Sequence, residues 1–239
     1  EVWGPYEPYP DGSWRVSSRY PGLKIPKDKP IVITVAGSAF RRHLPDSSIS
    51  KGLFSLEETS RYTNARTVTT PDLNYPEFKS EYLPFALDIG GLKNEWLKND
   101  HKIIKIGHSP SSRKTKGTNS VFCPAYKLLE RLCKEIDIKI SMDIIEGVSY
   151  AECLERKKSL SMLWDQCGFG FYGNALVEAA AFGVPCLSWI SDHSLSQMSN
   201  QDRESLVVTS FERRDAESCA QAMYDLINSD LKEVSVKTR

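Results

Sequence analysis

Neither sign of charge dominates this chain: Lys+Arg and Asp+Glu number 31 each over 239 residues. That balance removes the long-range field that draws a protein to nucleic acid or to an anionic membrane surface, so no nucleic-acid partner is expected. No run of 18 apolar residues occurs, and no charged-then-apolar leader opens the chain, so neither a membrane span nor a secretory signal is read from it. The six cysteines (Cys123, Cys133, Cys153, Cys167, Cys186, Cys219) show no C-x-x-C or C-x-x-x-C spacing. Most fall in expected helices or strands, where they read as reduced, buried small hydrophobes, and the expected compartment is the cytoplasm. Internal repeats, low-complexity tracts, metal-ligand spacings and a Ser/His/Asp order are also lacking, so no metal is expected. The chain starts at Glu1 rather than Met and is expected to be an excised or processed piece.

What is present is an ordinary globular composition, 40% apolar and 26% charged, long enough for one large domain or two small ones. Residues 1–30 are rich in Pro, Gly and aromatics and read as irregular, with Trp3, Tyr6, Tyr9, Trp14 and Tyr20 covering a surface. Ile31 to Gly37 (IVITVAG) is a β-branched run of the kind found in buried parallel strands. A basic loop, SAFRRHLPD, follows it. Ser55 to Thr63 reads as a helix, ARTVTT as a second strand, and Ser80 to Asp88 as an extended connector. Beyond Gly90 the alternation is regular: strand HKIIKIGHS, helix Val121 to Ile136, strand IKISMDIIEG, and helix Ser149 to Lys158 with a Ser149/Glu152 capping box. Next come strand LSMLW, helix Asn174 to Phe182, strands VPCLSWI and SLVVTS, and helix Ala216 to Asn228. Such alternation implies a Rossmann-like α/β fold, a parallel sheet with helices on both faces. Residues 1–88 are expected to form a short, partial N-terminal α/β part, and residues 89–239 a complete second domain.

Two loops of that second domain carry chemistry. Gly168 to Gly173 (GFGFYG) matches G-x-G-x-x-G between a strand and a helix, with Asp192 about twenty residues beyond. Read alone, it suggests a dinucleotide and an NAD-dependent oxidoreductase. However, the fingerprint normally occupies the first βαβ unit, whereas this one is late. Ser109 to Thr118 (SPSSRKTKGT) clusters Arg113, Lys114 and Lys116 in a glycine-ended loop at a helix start, a second anion-binding arrangement. Both loops emerge at the carboxyl edge of a parallel sheet, so their groups can converge on a nucleoside diphosphate. Glu178, placed among Ala, Leu and Val, would be costly to bury unpaired; it calls for a cation or a ligand, such as sugar hydroxyls.

The succession HSPSSRKTKGT, IIEGVSYAEC and DQCGFGFYGNALVEAAAFGVPCL resembles the donor-binding half of GT-B glycosyltransferases. The similarity is to the large retaining group of sucrose, trehalose and mannosyl transferases (glycosyltransferase family 4-like), and it covers roughly residues 30–228. It implies a nucleoside-diphosphate sugar as donor substrate, an acceptor hydroxyl attacking from the same face, and no cofactor. By the resemblance, Arg113 and Lys116, in the loop ended by Gly117, would neutralise the diphosphate. Backbone N–H groups of Tyr172, Gly173 and Asn174 would bind phosphate or sugar. Glu178 would hold ribose hydroxyls, and Gly147 and Val148 would lie against the base. Gly170 stands eight positions before Glu178, where many members of the group carry a sugar-contacting glutamate.

His43, with Arg41 and Arg42, follows the first strand and is a candidate for a catalytic or acceptor role. His108 sits at the root of the basic loop, suited equally to bracing it or to touching ligand. The same two readings hold for Asp165 and Gln166, while His193 reads as structural or exposed. The short first part favours an alternative, a non-catalytic subunit or scaffold. A partner chain or a preceding segment would then complete the acceptor side.

Overall fold

The computed structural model describes residues 14–15, 24–25, 31–35, 65–74, 81–82, 92–94, 96–98 and 102–238, except 207 and 213. The expected helix over 55–63, the loop with Arg41, Arg42 and His43, and the connector beyond Tyr82 lie outside the described residues. The chain divides into two compact units, Glu1–Phe85 and Ala86–Arg239.

In the first unit, β1 (Trp14–Arg15) pairs antiparallel with β2 (Lys24–Ile25). A separate parallel sheet runs in the order β3 (Ile31–Val35), β4 (Ala65–Thr69), β5 (Glu81–Tyr82). The segment read as a connector thus supplies a third strand, too short to show a period of its own. After β4 a 3₁₀ turn, Pro71–Leu73, is started by proline, and Thr70 Oγ1 donates to Asp72 Oδ1 at 2.6 Å.

The second unit is built on a four-stranded parallel sheet in the order β7-β6-β8-β9. Its strands are β6 (Ile104–His108), β7 (Ile140–Ile144), β8 (Met162–Trp164) and β9 (Cys186–Leu187). The helices are α1 (Arg113–Lys116), α2 (Cys123–Glu135), α3 (Tyr150–Lys158), α4 (Asn174–Ala181), α5 (Asp192–Ser196), α6 (Asn200–Glu204), α7 (Ala216–Asn228) and α8 (Leu231–Thr238). A π turn, Thr118–Phe122, joins α1 to α2. This is the expected α/β architecture, with helices on both faces.

The two faces can be read along β8, because successive side chains of a strand alternate. Met162 and Trp164 join Ile104 and Ile106 under α2 and α7, with Leu129, Cys133 and Met223. Leu163 joins Leu160, Leu176, Ala179 and Phe182 under α3 and α4. β9 divides likewise, with Cys186 on the second face and Leu187 on the first.

One expectation needs correcting: among the described residues, the run read as strand SLVVTS contributes a single parallel bridge, Leu187 to Thr209. After α7, α8 packs on α4, α7 and the 3₁₀ turn Trp96–Lys98. No helix among the described residues is long and apolar enough to cross a membrane. All six cysteines are free thiols, four of them buried; burial pushes Cys219 up to about 12.

Candidate functional site

The basic loop and the glycine turn leave the carboxyl ends of β6 and β8, which are neighbours in the sheet, with Ile106 opposite Met162. Ser112 starts α1 by accepting from the Thr115 N–H at 3.4 Å, and Gly117 ends it. Within this one turn, Lys116 points inward: its ammonium donates to Asp165 Oδ1 at 2.8 Å, and Asp165 is 1% exposed. The other oxygen of Asp165 accepts from the Gly173 N–H at 2.6 Å. One buried carboxylate therefore ties the basic loop to the start of α4.

Backbone contacts tighten the same junction. Cys167 N–H donates to Lys116 O at 3.2 Å. Gly168 lies so close to α1 that a Cβ on it would sit 1.7 Å from Thr115 O. Gly170 has φ +72°, and a Cβ there would lie 2.6 Å from Ser191 Oγ. Two of the three fingerprint glycines, Gly168 and Gly170, are thus explained by packing within the chain. Gly170 also shows why no glutamate occupies that position: the backbone and Ser191 leave no room for it. Gln166 braces the turn, its side-chain amide donating to Phe171 O while its backbone carbonyl accepts from Trp189 N–H at 2.9 Å. The turn then opens into α4, whose N-cap Gly173 gives no side-chain cap, leaving the first-turn N–H groups without that acceptor. Asn174 is exposed there, and Tyr172 stacks on Phe171 with centroids 4.1 Å apart.

Arg113 points the other way. Its guanidinium makes a bidentate pair with Glu146, Nε to Oε1 at 3.0 Å and Nη2 to Oε2 at 2.6 Å, with 48% of the Arg113 side chain exposed. Hydrogen bonding from Arg113 holds the Glu146 carboxyl below the usual carboxylate range. Glu146 belongs to the loop after β7, beside Gly147 (φ +65°) and Val148. A Cβ on Gly147 would meet nothing within 4 Å, and Val148 packs on the second core.

Glu178 finds its cation inside the chain. The ammonium of Lys157, a residue 1% exposed, is hydrogen-bonded to Glu178 Oε2, and Tyr150 Oη donates to Oε1 at 3.2 Å. Both partners come from α3, which packs on α4. Loss of solvent around the Tyr150 phenol, and then the Glu178 charge, raise it above its ordinary range. Tyr150, Lys157 and Glu146 were not singled out by sequence reasoning. The seven-residue spacing of Tyr150 and Lys157 on one helix face was the only available signal.

His108 is a brace. It is fully buried, Nδ1–H donating to Trp164 O at 3.1 Å and Nε2 accepting from Thr118 Oγ1 at 2.7 Å. Burial brings it down to about 4, so it is neutral between the Phe122 and Trp164 rings. Asp192 is the exposed first residue of α5, five positions past β9 rather than at its end. Among the described residues, no group of three or more His, Cys, Asp or Glu side chains could hold a metal ion.

No family model and no curated protein matches the chain. Among solved structures it is similar to WaaG, a glycosyltransferase involved in lipopolysaccharide biosynthesis. That likeness has 13% identity over 87% of this chain and 69% of that one, with a TM-score of 0.49. It is also similar to the glycotransferase of kitacinnamycin, at 12% identity over 83% of this chain and 54% of that one, with a TM-score of 0.39. Neither likeness bears on what this chain binds or does.

Proposed function

We propose that the second unit, corresponding to the donor-binding domain expected over residues 89–239, binds a nucleoside-diphosphate sugar. The chain would be a GT-B-type glycosyltransferase, moving the sugar to an acceptor hydroxyl. The observation that carries this reading is the locked junction of the two loops. Lys116, Asp165 and Gly173 hold an exposed guanidinium and an uncapped helix start at the carboxyl edge of one parallel sheet. Ligands in open α/β sheets gather at that edge, and an anion suits such a helix start.

In this mechanism Arg113 leaves Glu146 for the diphosphate, where its bidentate fork matches phosphate oxygens. The N–H groups of Asn174 and its neighbours in the first turn of α4 meet the remaining phosphate charge. The bond from the sugar's anomeric carbon to the phosphate oxygen breaks, and the charge left on that oxygen is met by these donors. The acceptor oxygen bonds to the same carbon from the same face and passes its proton to the departing phosphate oxygen. Positive groups of the chain supply the electrostatic stabilisation, so the reaction as proposed uses no metal or cofactor. Lys116 acts at one remove, its charge matched by Asp165, by fixing where α4 begins. Glu178, partly exposed and held by Lys157, accepts from the ribose hydroxyls, with Gly147 and Val148 beside the base.

The glycine spacing offers less support for a dinucleotide, because Gly168 and Gly170 are taken up by Thr115 and Ser191. The deciding measurement is a thermal shift with UDP, GDP and ADP at millimolar concentration. At least one should raise the melting temperature of the wild type and raise that of Arg113→Ala by less; no shift of the wild type with any of the three sinks the reading. Release of sugar from the matching donor separates an enzyme from a subunit that only binds.

A further inference from the structure

The two oxygens of Glu178 are held unequally. Oε2 is bound by the ammonium of Lys157, a residue 1% exposed, whereas Oε1 is bound by the hydroxyl of Tyr150, a residue 65% exposed, at 3.2 Å. Lys157 cannot leave without stranding a buried charge, which is among the costliest changes a protein interior can undergo. Tyr150 can leave at little cost, because its hydroxyl stands where water replaces the lost bond. One end of the carboxylate is therefore fixed and the other is releasable.

Position adds to this. Tyr150 is the first residue of α3, directly after the loop that carries Glu146, Gly147 and Val148 from the carboxyl end of β7. Ser149 fixes that helix start by accepting from the Glu152 N–H at 3.2 Å. The releasable oxygen of Glu178 is thus on the same side as the candidate ligand site. Tyr150 is also among the most exposed large side chains of the unit, so core packing does not account for its place.

We infer that Tyr150 occupies the nucleoside's place on Glu178 in the free protein and yields Oε1 to the vicinal hydroxyls of a bound nucleoside. Lys157 holds the carboxylate in position throughout. Tyr150 is then an internal competitor that the vicinal hydroxyls must displace, whereas a ligand without them leaves its hydrogen bond to Glu178 in place. This rests on the nucleotide-sugar reading above.

The test is calorimetric titration of the full chain, wild type and Tyr150→Phe. The ligands are the nucleoside diphosphate that gives the thermal shift, its 2′,3′-dideoxy analogue, and inorganic pyrophosphate. Removing the competing hydroxyl should tighten the nucleoside diphosphate by about two- to tenfold, the worth of one ordinary hydrogen bond. Affinity for the dideoxy analogue and for pyrophosphate should not change. A merely structural role for Tyr150 would move all three ligands together, and that result overturns the inference. So does unchanged or weakened binding of the nucleoside diphosphate alone, which leaves the broader reading standing. A wild type that binds no nucleoside diphosphate removes both.

Discussion

At the scale of single residues, two cations of one loop do different work. Arg113 and Lys116 are three positions apart on a four-residue helix, yet one is exposed on Glu146 and the other buried on Asp165. Replacing Lys116 by alanine leaves the Asp165 carboxylate buried without its ion partner, a change that costs about 3–5 kcal/mol. Urea unfolding of Lys116→Ala should show that loss with or without nucleotide. Arg113→Ala should unfold with the wild type but bind the diphosphate about tenfold or more weakly, because a charge-assisted pair to phosphate is lost. Equal stability losses in the two variants would contradict this division. The sequence marks both residues as basic and loop-borne. It does not show which one turns inward, since Asp165, 49 residues later, decides that.

His108 gives a pH dependence of definite sign. Its ordinary value of 6.5 falls to about 4 in the fold, mainly through burial. Between those values the unfolded chain binds a proton that the folded chain does not. Stability is therefore full above about pH 6.5 and falls as the pH drops toward 4, by about 3 kcal/mol in all. His108→Gln removes the titration and can keep a hydrogen bond. Between pH 7 and pH 4.5 the wild type should lose about 2–3 kcal/mol more than this variant. Parallel pH profiles for the two proteins would refute the assignment.

At the scale of elements, what could be read from sequence was what is specified locally. The start of α3 was legible because Ser149 and Glu152 form the cap themselves, and α7 because its apolar period runs over three turns. α5 and α6 went unread because five residues show no period; their serine caps, Ser191 and Ser199, were the available signal. The strand expected at 205–210 reduces to a bridge at Thr209, since apolar β-branched residues fit any covered edge. The glycine turn was legible by composition as a junction between a strand and a helix, while its packing against α1 was not. That packing predicts the outcome of Gly168→Ala. The added methyl must displace Thr115 O, separating the two loops at a cost of about 1–3 kcal/mol. Nucleoside diphosphate affinity should fall with it, although Gly168 donates nothing to the ligand. A variant with wild-type melting and wild-type affinity would show that the junction is slack.

For the molecule as a whole, the two cores that cover the sheet of the second unit decide what can stand alone. Every residue of both clusters lies at position 92 or later, on both faces of one sheet. The proposed diphosphate and ribose contacts, from Arg113 to Glu178, fall in the same unit, after the division at Phe85 and Ala86. A compact body with its own covered sheet has what a domain needs to fold independently. Residues 86–239, expressed alone, should therefore melt in one cooperative transition and bind the nucleoside diphosphate as tightly as the full chain does. Sugar transfer should need more: residues 1–85, or a partner chain that supplies the acceptor side. A fragment that melts without cooperativity, or folds but loses the nucleotide, would mean that the donor site draws on residues before Ala86. A fragment that transfers sugar unaided would mean that the acceptor, too, is recognised within 86–239.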